Sequence, residues 1–343
     1  ERFEAYKASN VLSKDAAPSY YIYETVQANG HLYCGVIATA SVEDYEAQVI
    51  KKHEATIAKR ETSSKNYLKT VRFNAAPVLL MHADDVTLET AIQNAKEKAS
   101  EFNSWTTENE THKLWCVDDL ETVQCIQNAF QTISELYIAD GHHRSASSAL
   151  LARELKSEKH TTTEESYNYF LSYLIPESQL KIYDYNRVIT DLNGLSSAEF
   201  LEQISVDFEL ESKGSKPYKS SKLHDISMYF EGTFYSLYLR ESKQNRQSAI
   251  NQLDTHILQT HLLEPILGIT NVRTNSRIEY IYGADSMEQI KATVDSGAHA
   301  VGFGLFPIET KALMAIADSS AVMPPKSTYV YPKLRSGITI YEF

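Results

Sequence analysis

The sequence has few cysteines and no long apolar run. Three of its 343 residues are cysteine (Cys34, Cys116 and Cys125), and none belongs to a CxxC pair. An odd number of widely spaced cysteines argues against a disulfide scaffold and a thiolate zinc site, and it favours a reducing, cytoplasmic setting. No segment approaches the roughly 18 consecutive apolar residues that a membrane-spanning helix needs, so no membrane partner is expected.

Basic residues are also fewer than acidic residues. Lysine and arginine together number 33 against 45 aspartates and glutamates, which gives a formal net charge of -12. Such a charge repels phosphate backbones, so nucleic acid is not an expected partner.

Several motifs of well-known enzyme classes are absent. Residues 323–328 read MPPKST and lack the glycines of a nucleotide-binding P-loop. Position 57, where a zinc protease would carry its second histidine after His53, is Ile57. Gly302 and Gly304 are not followed by the third glycine of a dinucleotide fingerprint, so a closely packed strand explains them better. No GxSxG nucleophile motif occurs.

The length and the apolar patterns predict two lobes of mixed secondary structure. A chain of 343 residues exceeds the size at which one core stops growing, and a loop near residue 190 is the predicted boundary between lobes 1–190 and 191–343. Strand and helix patterns are mixed along the chain, which predicts an α/β (α+β) fold. The clearest predicted elements are hairpins at 20–40 and 226–240, helices at 86–105, 123–133 and 250–267, and strands at 136–139, 167–176 and 278–282.

The most informative segment follows the predicted strand at 136–139. Its residues are Asp140, Gly141, His142, His143 and Arg144, followed by an alanine-rich helical pattern. Glycine permits a tight turn, and the helix start aims backbone N–H groups outward, which makes an anion site. The histidines and the arginine add donors suited to phosphate, while Asp140 can orient a histidine or hold Mg²⁺ through water. The alternative is a structural turn in which Asp140 caps the helix.

Two further clusters carry polar chemistry. Glu54 lies beside His53 and two lysines, where a carboxylate can serve as a general base, although a solvated helix face has the same composition. Lys326, Ser327 and Thr328 are residue types that contact phosphate, although a capped turn explains them equally.

These clusters and their order resemble a widespread bacterial family of unknown function. The resemblance spans residues 20–343 and rests on four segments: SVEDY at 41–45, IKKHEAT at 50–56, IADGHHR at 138–144 and MPPKSTY at 323–329. Members of that family are similar to free-serine kinases, whose core resembles ParB and sulfiredoxin. The resemblance therefore implies a ParB/sulfiredoxin-like nucleotide-binding core in the first lobe and an additional mixed α/β lobe after it.

The resemblance also implies an activity. It is Mg²⁺-dependent phosphoryl transfer from ATP or ADP to free L-serine or a similar small hydroxyl compound. Glu54, beside His53, matches the catalytic base, and Asp140 to Arg144 match the phosphate-binding stretch. Lys326 would join that site only if the C-terminal tail folds back to it.

The chain departs from the family in two places. It lacks an upstream Pro-Tyr-Asp stretch, and it has Ser145 at a position that is often aromatic.

Two rival functions stay open. A ParB-like nucleotide-binding regulator without small-molecule kinase activity would need a partner surface or a local basic patch. A purely structural protein would need all three polar clusters to be accidental. The sequence leaves the phosphate donor, the acceptor and the oligomeric state open.

Overall fold

The structure is a computed structural model that describes residues 2–107, 109–159, 165–183, 185–245, 247–283, 285–324 and 326–343. Over these residues the protein is a mixed α/β molecule, so the predicted fold class is confirmed. The α-helices are α1 (Arg2–Ala8), α2 (Val42–Glu46), α3 (Ala58–Val71), α4 (Val86–Lys98), α5 (Leu120–Phe130), α6 (His142–Lys159), α7 (Ser197–Asp207), α8 (Asp254–Leu258), α9 (Ser286–Asp295) and α10 (Thr310–Asp318).

Strands make up the second part of the fold. They are β1 (Tyr20–Gln27), β2 (Leu32–Ser41), β3 (Ile50–Lys51), β4 (Phe73–Asn74), β5 (Val78–His82), β6 (Glu101–Thr106), β7 (Glu110–Val117), β8 (Leu136–Asp140), β9 (Tyr169–Pro176), β10 (Lys181–Tyr183), β11 (Tyr185–Ile189), β12 (Phe208–Gly214), β13 (Asp225–Phe230), β14 (Thr233–Leu239), β15 (Ile278–Tyr282), β16 (Val301–Gly304), β17 (Tyr329–Tyr331) and β18 (Tyr341–Glu342). Among the described helices, none is both long and apolar enough to span a membrane.

The chain forms two compact units that alternate along the sequence. Unit 1 comprises Glu1–Ile50, Ala58–Gln179 and Leu334–Phe343, and unit 2 comprises Lys51–Ile57 and Leu180–Lys333.

Unit 1 is built on an eight-stranded sheet. Its strand order is β3-β8-β5-β9-β2-β1-β7-β6. The predicted first hairpin is confirmed, because β1 and β2 pair antiparallel around Gly30, whose φ is +84°. One part of the core packs α4 and α5 on Ile22, Val36 and Trp115, and another packs α6 on β5 and β8. A separate two-stranded sheet joins β4 with β18.

The predicted helix at 86–105 is too long at its C-terminal end. Helix α4 stops at Lys98 because Ala99 is extended, with φ -77° and ψ 141°. Phe102, which the helical spacing placed on that helix, lies instead in β6 and is exposed. Pairing of β6 with β7 stabilises the extended conformation there, and local periodicity does not encode such pairing.

Unit 2 is built on a six-stranded sheet with the order β12-β14-β13-β16-β11-β15, beside a two-stranded ribbon of β10 and β17. The predicted second hairpin is confirmed by the pairing of β13 with β14. The predicted helix at 250–267 is divided into a 3-10 turn, α8 and a π-helical turn. A Cβ on Gly304 would lie 2.5 Å from Cε of Met287, and this is the close packing that the sequence predicted for that glycine.

Candidate functional site

The turn between β8 and α6 in unit 1 has the predicted strand–glycine–helix form. Asp140 ends the strand, Gly141 has φ +108°, and the helix begins at His142. The Gly141 carbonyl accepts hydrogen bonds from the N–H groups of Arg144 and Ser145 at 2.8 and 3.1 Å. The first helical turn therefore starts at a glycine in a conformation that L-residues rarely adopt. The start of a helix is the end of its dipole that favours anions.

Arg144 lies across this turn. One terminal nitrogen of its guanidinium donates to Asp140 Oδ2 at 3.2 Å, and the other donates to the carbonyl of Pro77. A Cβ on Gly141 would lie 3.0 Å from Nε and from one terminal nitrogen of Arg144. Burial lowers the pKa of Arg144, and the charge of Asp140 partly restores it. Two hydrogen bonds therefore fix the guanidinium close to the space that a side chain at residue 141 would occupy.

The two histidines of the turn are positioned differently. The His142 side chain is buried, and His143 is half-buried. Their carbonyls accept hydrogen bonds from serines later in the helix, Ser145 to His142 at 3.1 Å and Ser147 to His143 at 2.6 Å. Ser145 is itself fully buried. At the position where the family often has an aromatic residue, this chain therefore has a small side chain bonded to its own helix.

Asp140 can supply a ligand to magnesium but does not belong to a complete metal site among the described residues. Its side chain is 44% exposed. Among the residues that the structure describes, no three His, Cys, Asp or Glu side chains are grouped to hold a metal. Mg²⁺ is commonly held by one or two carboxylates together with substrate phosphates and water. Asp140 is therefore suited to a magnesium ion that takes most of its ligands from a nucleotide and from water.

The segment around Glu54 lies in unit 2, where it is hydrogen-bonded to the segment at 323–328. The His53 carbonyl accepts a hydrogen bond from the Met323 N–H at 2.9 Å, although the two residues lie far apart in the sequence. Lys51 Nζ pairs with Asp318 Oδ1 at 2.7 Å. Glu54 follows in a bend and is half-buried. Burial lowers the pKa of His53 to about 4, so this imidazole is neutral at pH 7.

Lys326 is held at both ends in the same unit. Its backbone is in the left-handed region, with φ +60°, and its carbonyl accepts a hydrogen bond from the buried Arg187 at 3.0 Å. Its Nζ donates to the Tyr185 hydroxyl at 3.1 Å. Burial lowers the pKa of Arg187 to about 10, which leaves the guanidinium charged at pH 7.

Ser327 and Thr328 follow Lys326 in the segment at 323–328. Ser327 is buried, and its hydroxyl donates to the Pro324 carbonyl at 2.7 Å and lies 3.2 Å from Thr255 Oγ1. It stabilises the turn, as the structural interpretation of this motif predicts. Thr328 is half-buried, and Pro325 lies outside the described residues.

The candidate residues thus form two groups. Asp140 to Arg144 belong to unit 1, and His53, Glu54 and Lys326 to Thr328 belong to unit 2. Sequence reasoning missed Tyr185 and Arg187, which hold Lys326. The only sequence signals for them were the high tyrosine count of 22 and an arginine inside a strand pattern.

The fold and these residues define a two-unit α/β protein with a strand–glycine–helix turn at the start of α6. The chain belongs to the family described as "Protein of unknown function (DUF1015)", whose model matches residues 1–256. Membership of a family of unknown function is therefore confirmed. The matched range contains the motifs around Glu54 and Asp140 and ends before the motif at 323–328. No curated protein matches the chain.

The chain resembles several solved structures at low identity. A conserved hypothetical protein from Pyrococcus furiosus has 13% identity and a TM-score of 0.40, over 86% of this chain and 90% of its own. A C-terminally truncated SbnI from Staphylococcus aureus has 12% identity and a TM-score of 0.45, over 86% and 82%. A free serine kinase in complex with AMP has 12% identity and a TM-score of 0.40, over 86% and 87%. Since these TM-scores lie below 0.5, the function of this chain must be argued from its own residues.

Proposed function

We propose that the protein is a Mg²⁺-dependent phosphotransferase that phosphorylates free L-serine or a similar small hydroxyl compound from ATP or ADP. The observation that carries the proposal is the turn at Asp140 to Arg144. It combines a helix start, a glycine with positive φ and a fixed guanidinium in one short segment. A helix N-terminus and an arginine both favour phosphate oxygens.

Glu54 is assigned the role of general base. In the proposed step its carboxylate takes the proton of the acceptor hydroxyl, and the hydroxyl oxygen forms a bond to the terminal phosphorus of the donor. The bond from that phosphorus to the bridging oxygen breaks, and the electron pair leaves with the nucleotide. Glu54 is half-buried beside a buried, neutral His53, an environment that can tune a carboxylate for proton transfer.

Charge neutralisation is assigned to cationic groups. Arg144 would bind phosphate oxygens at the turn, and the ammonium of Lys326 would bind the transferring group. Asp140 would hold Mg²⁺, which when bound neutralises phosphate charge. A ParB/sulfiredoxin-like core for residues 1–190 is part of the same proposal.

Product formation tests the proposal. The purified chain is incubated with L-serine and Mg²⁺ and, in separate reactions, ATP, ADP or pyrophosphate, and O-phosphoserine is measured by phosphorus NMR and mass spectrometry. We expect product from one donor. Glu54→Gln should bind nucleotide as wild type does and lose roughly 100-fold or more of the turnover, the usual contribution of a general base. Glu202→Gln, an exposed position on α7, is the matched control and should keep full turnover.

The outcomes separate the rival functions. Unchanged turnover in Glu54→Gln would remove Glu54 from the role of base. Nucleotide that raises the melting temperature without any product from any donor would contradict the kinase and favour the nucleotide-binding regulator. The absence of both product and thermal shift would contradict nucleotide binding altogether.

A further inference from the structure

Tyrosines gather on one face of unit 2 through cross-strand pairing. In the ladder of β11 with β15, Tyr185 lies opposite Tyr282, and Arg187 lies opposite Tyr280. In the ribbon of β10 with β17, Tyr183 lies opposite Tyr329. We name the cluster of Tyr183, Tyr185, Tyr280, Tyr282, Tyr329 and Lys326 the tyrosine–lysine patch.

The rings of the tyrosine–lysine patch contact one another. Tyr282 and Tyr329 are stacked, with centroids 4.2 Å apart and planes inclined by 20°. Tyr185 meets Tyr280 edge-on at 5.3 Å and Tyr329 at 6.0 Å. Tyr282 is 44% exposed, so part of this aromatic surface is presented to solvent. The exposed ring of this stacked pair offers a surface on which a further flat ring can stack.

The charge of the patch is opposite to that of the molecule. Lys326 Nζ lies 5.2 Å from the Tyr185 centroid and 5.9 Å from the Tyr280 centroid, and Lys333 Nζ lies 4.7 Å from the Tyr329 centroid. Within the described ranges, Lys326 has no ion pair with a carboxylate. The chain as a whole has a net charge of -12, so this is a local inversion of charge.

The acidic residue of β15 does not belong to this face. Glu279 precedes Tyr280 in the strand, and alternation of side chains places it on the opposite face. There its carboxylate lies 3.6 Å from His299 Nε2. Glu279 therefore does not neutralise Lys326 on the face with the tyrosines.

The position of Lys326 decides between two kinds of ligand. An aromatic cluster can hold a cationic ligand or stack on a flat ring. The ammonium of Lys326 already lies near the faces of Tyr185 and Tyr280, so a second cation would be repelled. An anionic ligand that carries a flat ring would satisfy both the rings and the ammonium, as in recognition of bases and phosphates by aromatic and basic residues.

We infer that the tyrosine–lysine patch binds a nucleotide, with its base stacked at Tyr282 and Tyr329 and a phosphate paired with Lys326. The inference rests on the proposed function, in which Lys326 binds a phosphoryl group. The net charge of the whole chain does not indicate this local surface of aromatic and basic residues.

Calorimetry with two ligands separates stacking from charge. ADP carries a base and phosphates, whereas pyrophosphate carries phosphates alone. Tyr282→Ala should weaken ADP binding about tenfold or more, as loss of one base–aromatic stack does, and leave pyrophosphate binding unchanged. Tyr282→Phe keeps the ring and should bind ADP as wild type does. Lys326→Gln should weaken both ligands.

The matched control is Tyr238→Ala. Tyr238 lies on β14, outside the patch, and carries Lys222 at 5.1 Å from its ring centroid, so it repeats a single tyrosine–lysine contact without the cluster. This variant should bind ADP with wild-type affinity. Equal loss in Tyr238→Ala and Tyr282→Ala would overturn the inference.

A measurement on the unaltered chain guards against misfolded variants. The full chain is photolabelled with 8-azido-ADP, and the labelled peptide is found by mass spectrometry. Label on residues 280–282 or 329 supports the inference, and label confined to other peptides overturns it.

Two outcomes distinguish the inference from the proposed function. Wild-type ADP affinity in Tyr282→Ala, with product still formed by the unaltered chain, overturns the inference and leaves the proposed phosphotransferase activity intact. Failure of the unaltered chain to bind ADP overturns both.

Discussion

Gly141 shows how one residue supports the whole turn at the start of α6. Its φ of +108° is unfavourable for an L-residue, and the guanidinium of Arg144 would lie only 3.0 Å from a Cβ at this position. The positive φ is a property of the backbone at residue 141, whereas the close contact depends on Arg144. A substitution there therefore combines backbone strain with displacement of Arg144.

Gly141→Ala should lower the free energy of unfolding by about 1–3 kcal/mol from backbone strain, with a further loss from the displaced guanidinium. Gly30→Ala is the matched control, because φ is +84° there and no atom lies within 4 Å of the position of a Cβ. Denaturant unfolding of both variants measures the difference. A loss in Gly141→Ala no greater than in Gly30→Ala would show that the Arg144 contact adds nothing.

At the residue scale the sequence predicted the strand–glycine–helix form of the turn, but not the distant residues that hold Lys326. The glycine and the arginine at residues 141 and 144 could be recognised because a strand pattern precedes them and a helix pattern follows. The contact of Lys326 with Arg187 could not be recognised, because Arg187 donates to the Lys326 carbonyl from a strand that is distant in sequence. Long-range contacts of this kind leave no local pattern.

Helix α3 shows how an element can be held without a buried side chain of its own. Among its described residues none is fully buried. Lys69 pairs with Glu154 and Glu158 of α6 at 2.6 and 2.7 Å, and Lys65 also pairs with Glu154. These lysines lower the pKa of Glu154 to about 2. The weak apolar pattern explains why the sequence did not predict this helix, whereas the buried faces of α4 and α5 made theirs recognisable.

Glu154→Gln should therefore loosen α3 selectively, because it removes the carboxylate shared by two lysines. Amide hydrogen exchange should rise severalfold in α3 and stay unchanged in α4, whose Leu88 and Ala95 are fully buried. High salt should have the same direction of effect in the wild-type chain, because exposed ion pairs are screened. Equal exchange in α3 of the wild-type chain and the variant would contradict a role for these ion pairs.

At the scale of the whole molecule, one buried carboxylate makes stability depend on pH. Asp254 is 3% exposed, and its oxygens accept hydrogen bonds from the N–H groups of His224 and Phe306 at 2.8 and 3.3 Å. Burial raises the pKa of Asp254 to about 7 despite those bonds. An unfolded aspartate titrates near pH 4, so between about pH 4 and pH 7 the folded state binds the additional proton.

The stability from this proton is therefore present at low pH and is lost as pH rises from about 4 to about 7, by at most about 1.4 kcal/mol per pH unit. Asp254→Asn should flatten that decline when melting temperatures are compared between pH 4.5 and 7.5. Asp118→Asn, at an exposed position, should keep the wild-type profile. Parallel profiles for the wild-type chain and Asp254→Asn would remove Asp254 as the cause.

The mixed fold follows from the patterns along the sequence, but the path of the chain does not. Which segments join which unit depends on pairings such as β18 with β4, in which Tyr341 lies opposite Asn74. A two-residue strand near the end of the chain carries no periodic signal for a partner so distant in sequence.

The alternating path also has a genetic consequence. The chain passes from one unit to the other four times, after residues 50, 57, 179 and 333. A single crossover within this stretch of the gene always divides unit 1 between two parents, because unit 1 includes both the first and the last of these segments. Unit 2 is inherited whole only when the crossover falls outside residues 51–333.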